Sequence, residues 1–205
     1  MEEREETIDS LLTITTPRLV LREASPEDIP VLYKWRNDER FQALCSVRRT
    51  SIEYENFVRE INNDLSNDRL MQMMIYRKTQ EAAIGTIYAY EYNPTDQNIF
   101  ITIYLERKFE RLGYGVETIY AFGRYLFETL GLYKIYIEIY EYNKLSLSTA
   151  QNLQFSEEGH FLKHRQFNGQ RWDLYRFAIY QDDAIKIQRY MKYWNNRTTS
   201  LIGNT

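Results

Sequence analysis

From residue 18 the chain announces its elements by alternation and period. Arg18-Leu19-Val20-Leu21-Arg22 alternates polar and apolar positions, the pattern of a strand. Ser25-Pro26-Glu27-Asp28 follows with an N-cap serine, a proline and two acids in the first turn, so a helix is expected over Pro26–Arg36. After Ser51, the residues Tyr54, Phe57, Val58, Ile61 and Leu65 recur at three- and four-residue intervals and predict a second, amphipathic helix. Three runs rich in isoleucine and tyrosine come next, Met71–Arg77, Ala82–Tyr92 and Asn98–Leu105, separated by polar turn residues; they read as an antiparallel meander. At Gly113 the period changes. Val116, Ile119, Tyr120, Phe122, Gly123, Leu126 and Phe127 line one side of a long helix that Gly131 closes. Lys134–Tyr142 alternates again, with Ile135, Ile137 and Ile139 on one side and Tyr136, Glu138, Tyr140 and Tyr142 on the other. A short helix over Lys144–Leu153, strands over Phe155–Lys163 and Gln170–Tyr180, and a last helix over Asp182–Tyr193 complete the pattern.

This order is mixed α/β, without internal repeat or low-complexity linker, and 205 residues suit one domain. We expect a partly ordered leader over residues 1–15, a single domain over 16–194 and a flexible tail over 195–205. A net charge of −3 gives no electrostatic argument for nucleic acid, so none is expected as a partner. The opening MEEREETIDS lacks an apolar signal core and no run of eighteen apolar residues occurs, so a cytoplasmic location and no membrane partner are expected. The lone cysteine, Cys45, cannot close an intramolecular disulfide. The two histidines, His160 and His164, lie in an extended stretch where a four-residue spacing does not share a face, so no metal site is expected.

Chemistry gathers first at Glu110-Arg111-Leu112-Gly113-Tyr114-Gly115, between a strand and a helix. Glycines there let backbone amides approach an anion, and the helix N-terminus adds unpaired N–H groups and the positive end of its dipole. A diphosphate fits, with Arg111 available for a charge-assisted contact. Two glycines at a turn are also a common cap. The spacing is neither a Walker loop nor a dinucleotide fingerprint, so the phosphate-bearing cofactor is of another kind.

Four segments in order carry a resemblance: TPRLVLREASPEDIPVLYKWRND, ERLGYGVETI, GLYKIYIEIYEYN, and NKLSLSTAQNLQFSEEG with the following FNGQRWDLYRFAIYQ. From Thr16 to Tyr180 the chain resembles the GNAT superfamily of acetyltransferases, in particular the branch of ribosomal-protein N-terminal acetyltransferases and spermidine acetyltransferase. The resemblance implies an α/β fold in which a mixed, mostly antiparallel sheet of about seven strands is splayed near its middle and flanked by helices. It implies acetyl-CoA as co-substrate, with the arm of the coenzyme along Ile103, Tyr104 and Leu105 and the diphosphate on Arg111, Leu112, Gly113, Tyr114, Gly115 and Val116. The sequence departs from the family at Glu110, where Gln or Arg is usual, and at Gln154-Phe155, where Gly-Phe is usual; the second departure predicts a helix end without positive φ or with strain.

Acyl transfer to an amine requires a neutral amine, a polarised carbonyl and a proton for the departing thiolate. A backbone N–H between Tyr104 and Glu106 can polarise the carbonyl. Asn143 resembles the family's contact to the pantetheine arm and also reads as an ordinary cap. The tyrosine used by many members is Ala150 here, and the resemblance offers Ser146 as proton relay, against a reading in which it only lines the helix; Tyr142 is a substitute donor. Glu91 and Glu138 are the strand carboxylates available as a base through water, or solvated sheet residues. A site so poor in bases suits an α-amine, which costs about 1.4 kcal/mol to neutralise at pH 7, better than a lysine or polyamine amine, which costs roughly 4 to 5. The tyrosines on two strand faces, Tyr88, Tyr90 and Tyr92 with Tyr136, Tyr140 and Tyr142, offer a cationic acceptor a surface or simply pack. The expectation is an N-acetyltransferase, monomeric or homodimeric. Its partner is an amine acceptor, either a protein N-terminus or a small amine such as a polyamine or aminoglycoside. A non-catalytic acyl-CoA-binding module of the same fold is the rival.

Overall fold

A computed structural model of the protein describes residues 12–45, 50–66, 70–189 and 192. Its centre is a sheet of eight strands: β1 (Thr13–Thr15), β2 (Leu19–Glu23), β3 (Leu70–Arg77), β4 (Ala83–Asn93), β5 (Asn98–Leu105), β6 (Lys134–Tyr140), β7 (Ser156–Phe167) and β8 (Gln170–Tyr180). Their order across the sheet is β1-β2-β3-β4-β5-β6-β8-β7. Every pairing is antiparallel except β5 with β6. Those two strands run parallel because a long helix, α4 (Tyr114–Leu130), crosses over between them.

The helices cover both faces. On one, Ile87, Ile99, Ile101, Ile135, Ile137, Ile139, Phe177 and Ile179 meet Val116, Phe122 and Leu126 of α4 and Leu147 of α5 (Lys144–Asn152). On the other, Met74 and Tyr104 meet Leu32 and Trp35 of α1 (Ile29–Arg36), Phe41 of α2 (Glu39–Leu44), and Phe57 and Ile61 of α3 (Tyr54–Ser66). Met73 and Ile75 join the first cluster and Met74 the second, which explains why the β3 run is apolar without interruption: both of its faces are buried.

Several elements differ from the reading of the sequence. Pro26–Asp28 forms a 3₁₀ turn ahead of α1 rather than its first turn. Helix α2 was not expected: its six residues are too few to show a period, although Asp38 caps it through the amides of Arg40 and Phe41. Strand β1 extends the sheet into the stretch read as a leader, and the sheet has eight strands where about seven were expected. Strand β6 ends at Tyr140, so Tyr142 lies in the following turn. Strand β7 continues past Lys163 to Phe167, because Asn168 (φ +49°) and Gly169 (φ +78°) form a two-residue hairpin turn in the left-handed region. The last helix is seen over residues 183–189. The leader before residue 12, the tail 195–205 and the end of that helix at Tyr193 lie outside the described residues. No helix among the described residues is long and apolar enough to cross a membrane.

What positions the site is the contact between β5 and β6. They pair only at Asn98 with Lys134, Ile99 with Ile135 and Phe100 with Tyr136. Beyond these three rungs the strands separate, β5 running on to Leu105 and β6 to Tyr140, and the sheet opens at the carboxyl ends of both. The helices that follow, α4 and α5, therefore start at the mouth of the opening, where ligands of parallel α/β units bind.

Candidate active site

The turn before α4 leaves a run of backbone amides unpaired. Arg111 (φ +59°) and Gly113 (φ +77°, ψ 0°) both take left-handed backbone, on either side of Leu112, which does not. Alternating handedness of this kind turns successive amides toward one concavity. Among the described residues, none of the backbone amides from 111 to 116 donates to a protein acceptor; the first helical bond is made by Glu117 N to Gly113 O at 3.1 Å. Six consecutive free N–H groups at the start of a 17-residue helix could hold an anion such as a diphosphate. Glu110, which looks adverse beside an anion, is turned away: it pairs with Arg40 of α2, and that arginine also donates to the Leu105 carbonyl at 2.8 Å.

The opening between β5 and β6 has polar walls. The amide of Glu106 bonds to Ile84 O on β4, so by strand alternation the N–H and C=O groups of Leu105 and Ile103 face the other way, into the opening. Helix α2 lies across it. On the β5 side Arg40 reaches Leu105 O, and the Cys45 thiol lies 3.7 Å from Ile103 O. On the far side the carbonyls of Gln42 and Ala43 accept from Arg165 Nη2 at 3.2 Å and Tyr142 Oη at 2.5 Å. Burial pushes the Cys45 thiol up to about 12, so this cysteine is a neutral donor and not a nucleophile. Tyr104, raised to about 12 by burial and then by Asp38, is likewise neutral.

Asn143 and Ser146 meet at the start of α5. Asn143 caps the helix, its Oδ1 accepting from Ser146 N at 3.3 Å, while its Nδ2 makes no hydrogen bond among the described residues. Ser146 is half-buried and its hydroxyl is also uncommitted, whereas Ser148 and Thr149 both spend theirs on Leu145 O. Ala150, one turn on, is 2% exposed and packed in the core, where a tyrosine would not fit. The helix ends in a Schellman arrangement, Phe155 N to Ala150 O at 3.1 Å and Gln154 N to Gln151 O at 2.9 Å, with Gln154 at φ +56°; of the two expected endings, the strained one is found.

The remaining candidates are placed less favourably. The Tyr142 hydroxyl is occupied by Ala43 O, and its ring sits in a cluster with Tyr140, Phe167 and Trp172. Glu138 flanks the opening but holds Arg176 at 2.6 and 3.0 Å. Glu91 lies beyond the Tyr90–Phe100 rung, at the closed end of β5, about 20 Å along β4 from the Gly85–Leu105 rung. Tyr90, Phe100 and Tyr136 form a ladder whose cation is the chain's own Arg176, over Phe100 at 4.9 Å and Tyr136 at 5.5 Å. Tyr88 is pushed well above its ordinary value, chiefly by burial, and donates to Cys45 O, which makes it a packing residue. Sequence reasoning missed Arg40 and Glu106. Glu106 follows β5 directly and binds Trp35 Nε1 at 3.2 Å and Lys108 Nζ at 3.1 Å. The only local sign of Arg40 was the Asp38 cap; its partners are set by tertiary packing.

The chain matches the family model described as an acetyltransferase (GNAT) domain over residues 18–156. It is 25% identical over 170 residues to the spermidine N(1)-acetyltransferase of Vibrio cholerae, covering 82% of this chain and 96% of that one. It is 22% identical over 170 residues to an uncharacterized N-acetyltransferase of Bacillus subtilis, covering 83% and 98%. Among solved structures, the Vibrio cholerae spermidine N-acetyltransferase in complex with CoA and spermine superposes with a TM-score of 0.75 at 19% identity, over 83% of this chain and 99% of that one.

Proposed function

The chain belongs to the GNAT acetyltransferase domain family, and from that premise we propose that it transfers an acetyl group from acetyl-CoA to a primary amine of a small polycation of the polyamine class. The observation that carries the co-substrate is the run of six unpaired amides at residues 111–116, beside an opening whose wall offers the N–H groups of Ile103 and Leu105. In this reading the turn holds the coenzyme diphosphate and the β5 edge receives its arm. The coenzyme supplies an acyl thioester; the chain supplies binding and a proton. Asn143 Nδ2 orients the arm and an N–H of the β5 edge polarises the carbonyl; as the amine nitrogen bonds to the carbonyl carbon and the C–S bond breaks, Ser146 Oγ gives its proton to the leaving sulfur and regains one, through water, from the acylated amine. The small-polycation acceptor is supported by the likeness to the spermidine N(1)-acetyltransferase of Vibrio cholerae.

One observation favours a second acceptor, the α-amine of a protein N-terminus. Each carboxylate beside the opening already holds a cation of the chain, Glu106 with Lys108, Glu110 with Arg40 and Glu138 with Arg176, and an α-amine needs the least help to lose its proton. Steady-state thiol release with spermidine, spermine, an aminoglycoside and N-terminal peptides separates the readings. We expect turnover on the polyamines, with kcat/KM rising with pH toward the amine pKa. Turnover on peptides alone would move the assignment to N-termini. Coenzyme binding without acceptor-dependent release would make the chain a non-catalytic module.

Gly115 tests the coenzyme site separately. A Cβ there meets only Leu105 Cδ1, at 3.7 Å, an ordinary contact, so the protein itself has room for alanine. Gly115→Ala is expected to fold with unchanged or raised Tm, since removing a helical glycine gains about 0.4–1 kcal/mol, while KM for acetyl-CoA rises about tenfold from crowding of the amide concavity. Unchanged KM would remove Gly115 from the site.

A further inference from the structure

We propose that Arg18 is a positioning residue for the anion-binding turn: it sets the orientation of the Leu112–Gly113 peptide and couples it to the first turn of α4. This inference rests on the reading of that turn as the coenzyme site. Its basis is the Thr16–Arg18 segment, in the opening motif of the domain, whose role the site described above leaves unexplained.

Glu117 sits in the first turn of α4 and is 1% exposed. A carboxylate that deep must be compensated. Three donors from the N-terminal segment do so: Thr16 Oγ1 at 2.6 Å, Arg18 N at 3.1 Å and Arg18 Nε at 2.6 Å. Thr16 is itself fixed, its hydroxyl accepting from Leu19 N at 2.8 Å. The other end of the same guanidinium passes over the Tyr114 ring at 4.7 Å and donates from Nη1 to the Leu112 carbonyl at 2.9 Å.

That last bond ties the brace to the turn. In a trans peptide the C=O and the following N–H point in opposite directions, and there is no cis peptide among the described residues. With the Leu112 carbonyl drawn to Arg18, the Gly113 N–H faces away from it, with no protein acceptor, in the left-handed residue at the centre of the six free amides. A helix cap alone would need only the Glu117 contacts. The bond to Leu112 has no capping function, and its effect is to hold one amide of the concavity in place before a ligand arrives, which spares the ligand the cost of ordering it. Glu117 also neutralises Arg18, so the brace orders the turn without adding net charge to it.

Lysine separates the two roles, because an ammonium can keep the Glu117 ion pair but lacks the planar fork that reaches Leu112 at the same time. The full-length chain with Arg18→Lys is titrated with CoA by calorimetry, and its steady-state kinetics and Tm are measured beside wild type. The expected result is a tenfold loss of CoA affinity and a matching rise in KM for acetyl-CoA, on the order of one charge-assisted hydrogen bond, with kcat within twofold. A purely structural role would lower Tm and leave the Kd of the folded protein at its wild-type value. Should Arg18→Lys fail to fold, the double variant Arg18→Met with Glu117→Gln, which leaves no buried charge unpaired, carries the same comparison. Wild-type CoA affinity in either folded variant overturns the positioning role and leaves the coenzyme reading intact. If the wild-type chain itself does not bind CoA, the coenzyme reading falls and the positioning role with it.

Discussion

Replacing Ser146 by alanine is expected to lower kcat for acetyl transfer ~10²-fold, the lower end of what loss of a general acid costs where water can partly substitute. KM for acetyl-CoA and Tm should change little. The expectation follows from where hydroxyls are spent around α5. Ser148 and Thr149 are tied to Leu145 O, Tyr142 is tied to Ala43 O, and position 150 holds a buried alanine. Ser146 alone on this helix keeps a free hydroxyl, beside the Asn143 cap and at the carboxyl end of β6. Its side chain makes no hydrogen bond that alanine would lose, so the fold has no reason to respond. Steady-state kinetics with a saturating acceptor, set beside Tyr142→Phe, read the result. If Ser146→Ala keeps wild-type kcat and Tyr142→Phe loses it, the proton comes from the tyrosine after release of Ala43, and the assignment of Ser146 is wrong.

The second large effect is structural. Gly85→Ala is expected to cost about 3 kcal/mol or more, at or above the upper end of ordinary overpacking, and so to lower Tm by roughly 6–12 °C for a chain of this size. A Cβ at Gly85 would stand 2.1 Å from the Tyr104 carbonyl oxygen, 2.8 Å from Leu105 Cδ2 and 3.0 Å from Leu105 Cα. The first and last of these are backbone atoms, which cannot rotate aside as a side chain does. Relief therefore requires β5 to shift at Tyr104–Leu105, where it has already parted from β6 and forms the wall of the opening. Protein that does fold should then bind CoA more weakly. Thermal unfolding measures the first effect and calorimetric titration of the folded fraction the second. A variant with wild-type Tm would show that β5 is not pinned at this point.

Much of this architecture is written in local pattern. The period-two runs of β2 and β6 and the helical spacing of α4 reflect which faces are buried, so their elements appear close to where the pattern puts them. The turn at Gly113 is legible for the same reason: positive φ and free amides at a helix start are properties of neighbouring residues. The candidate chemistry was less so. Ser146 and Asn143 come together because four residues of one helix start carry them, but the alternation that placed Tyr142 on a strand ran two residues past the end of β6. Glu138 and Glu91 read as equivalent strand carboxylates; only the sheet shows one at the opening, neutralised by Arg176, and the other at the closed end.

The sequence by itself determined the kind and order of the longer elements, the glycine turn between a strand and a helix, and the family to which the chain belongs. Each of these depends on neighbours within a few residues or on a motif carried in line. The tertiary structure alone decided that β5 and β6 part after Phe100 and Tyr136. It alone turned Glu110 from the anion turn toward Arg40, and neutralised Glu117 with Arg18 across 99 positions of chain. These are pairings between residues far apart in the chain, and no periodicity encodes them. Which carboxylate faces a ligand and which faces an arginine is settled only when packing brings the partners together, because a buried charge without a counterpart costs more than the fold can spare.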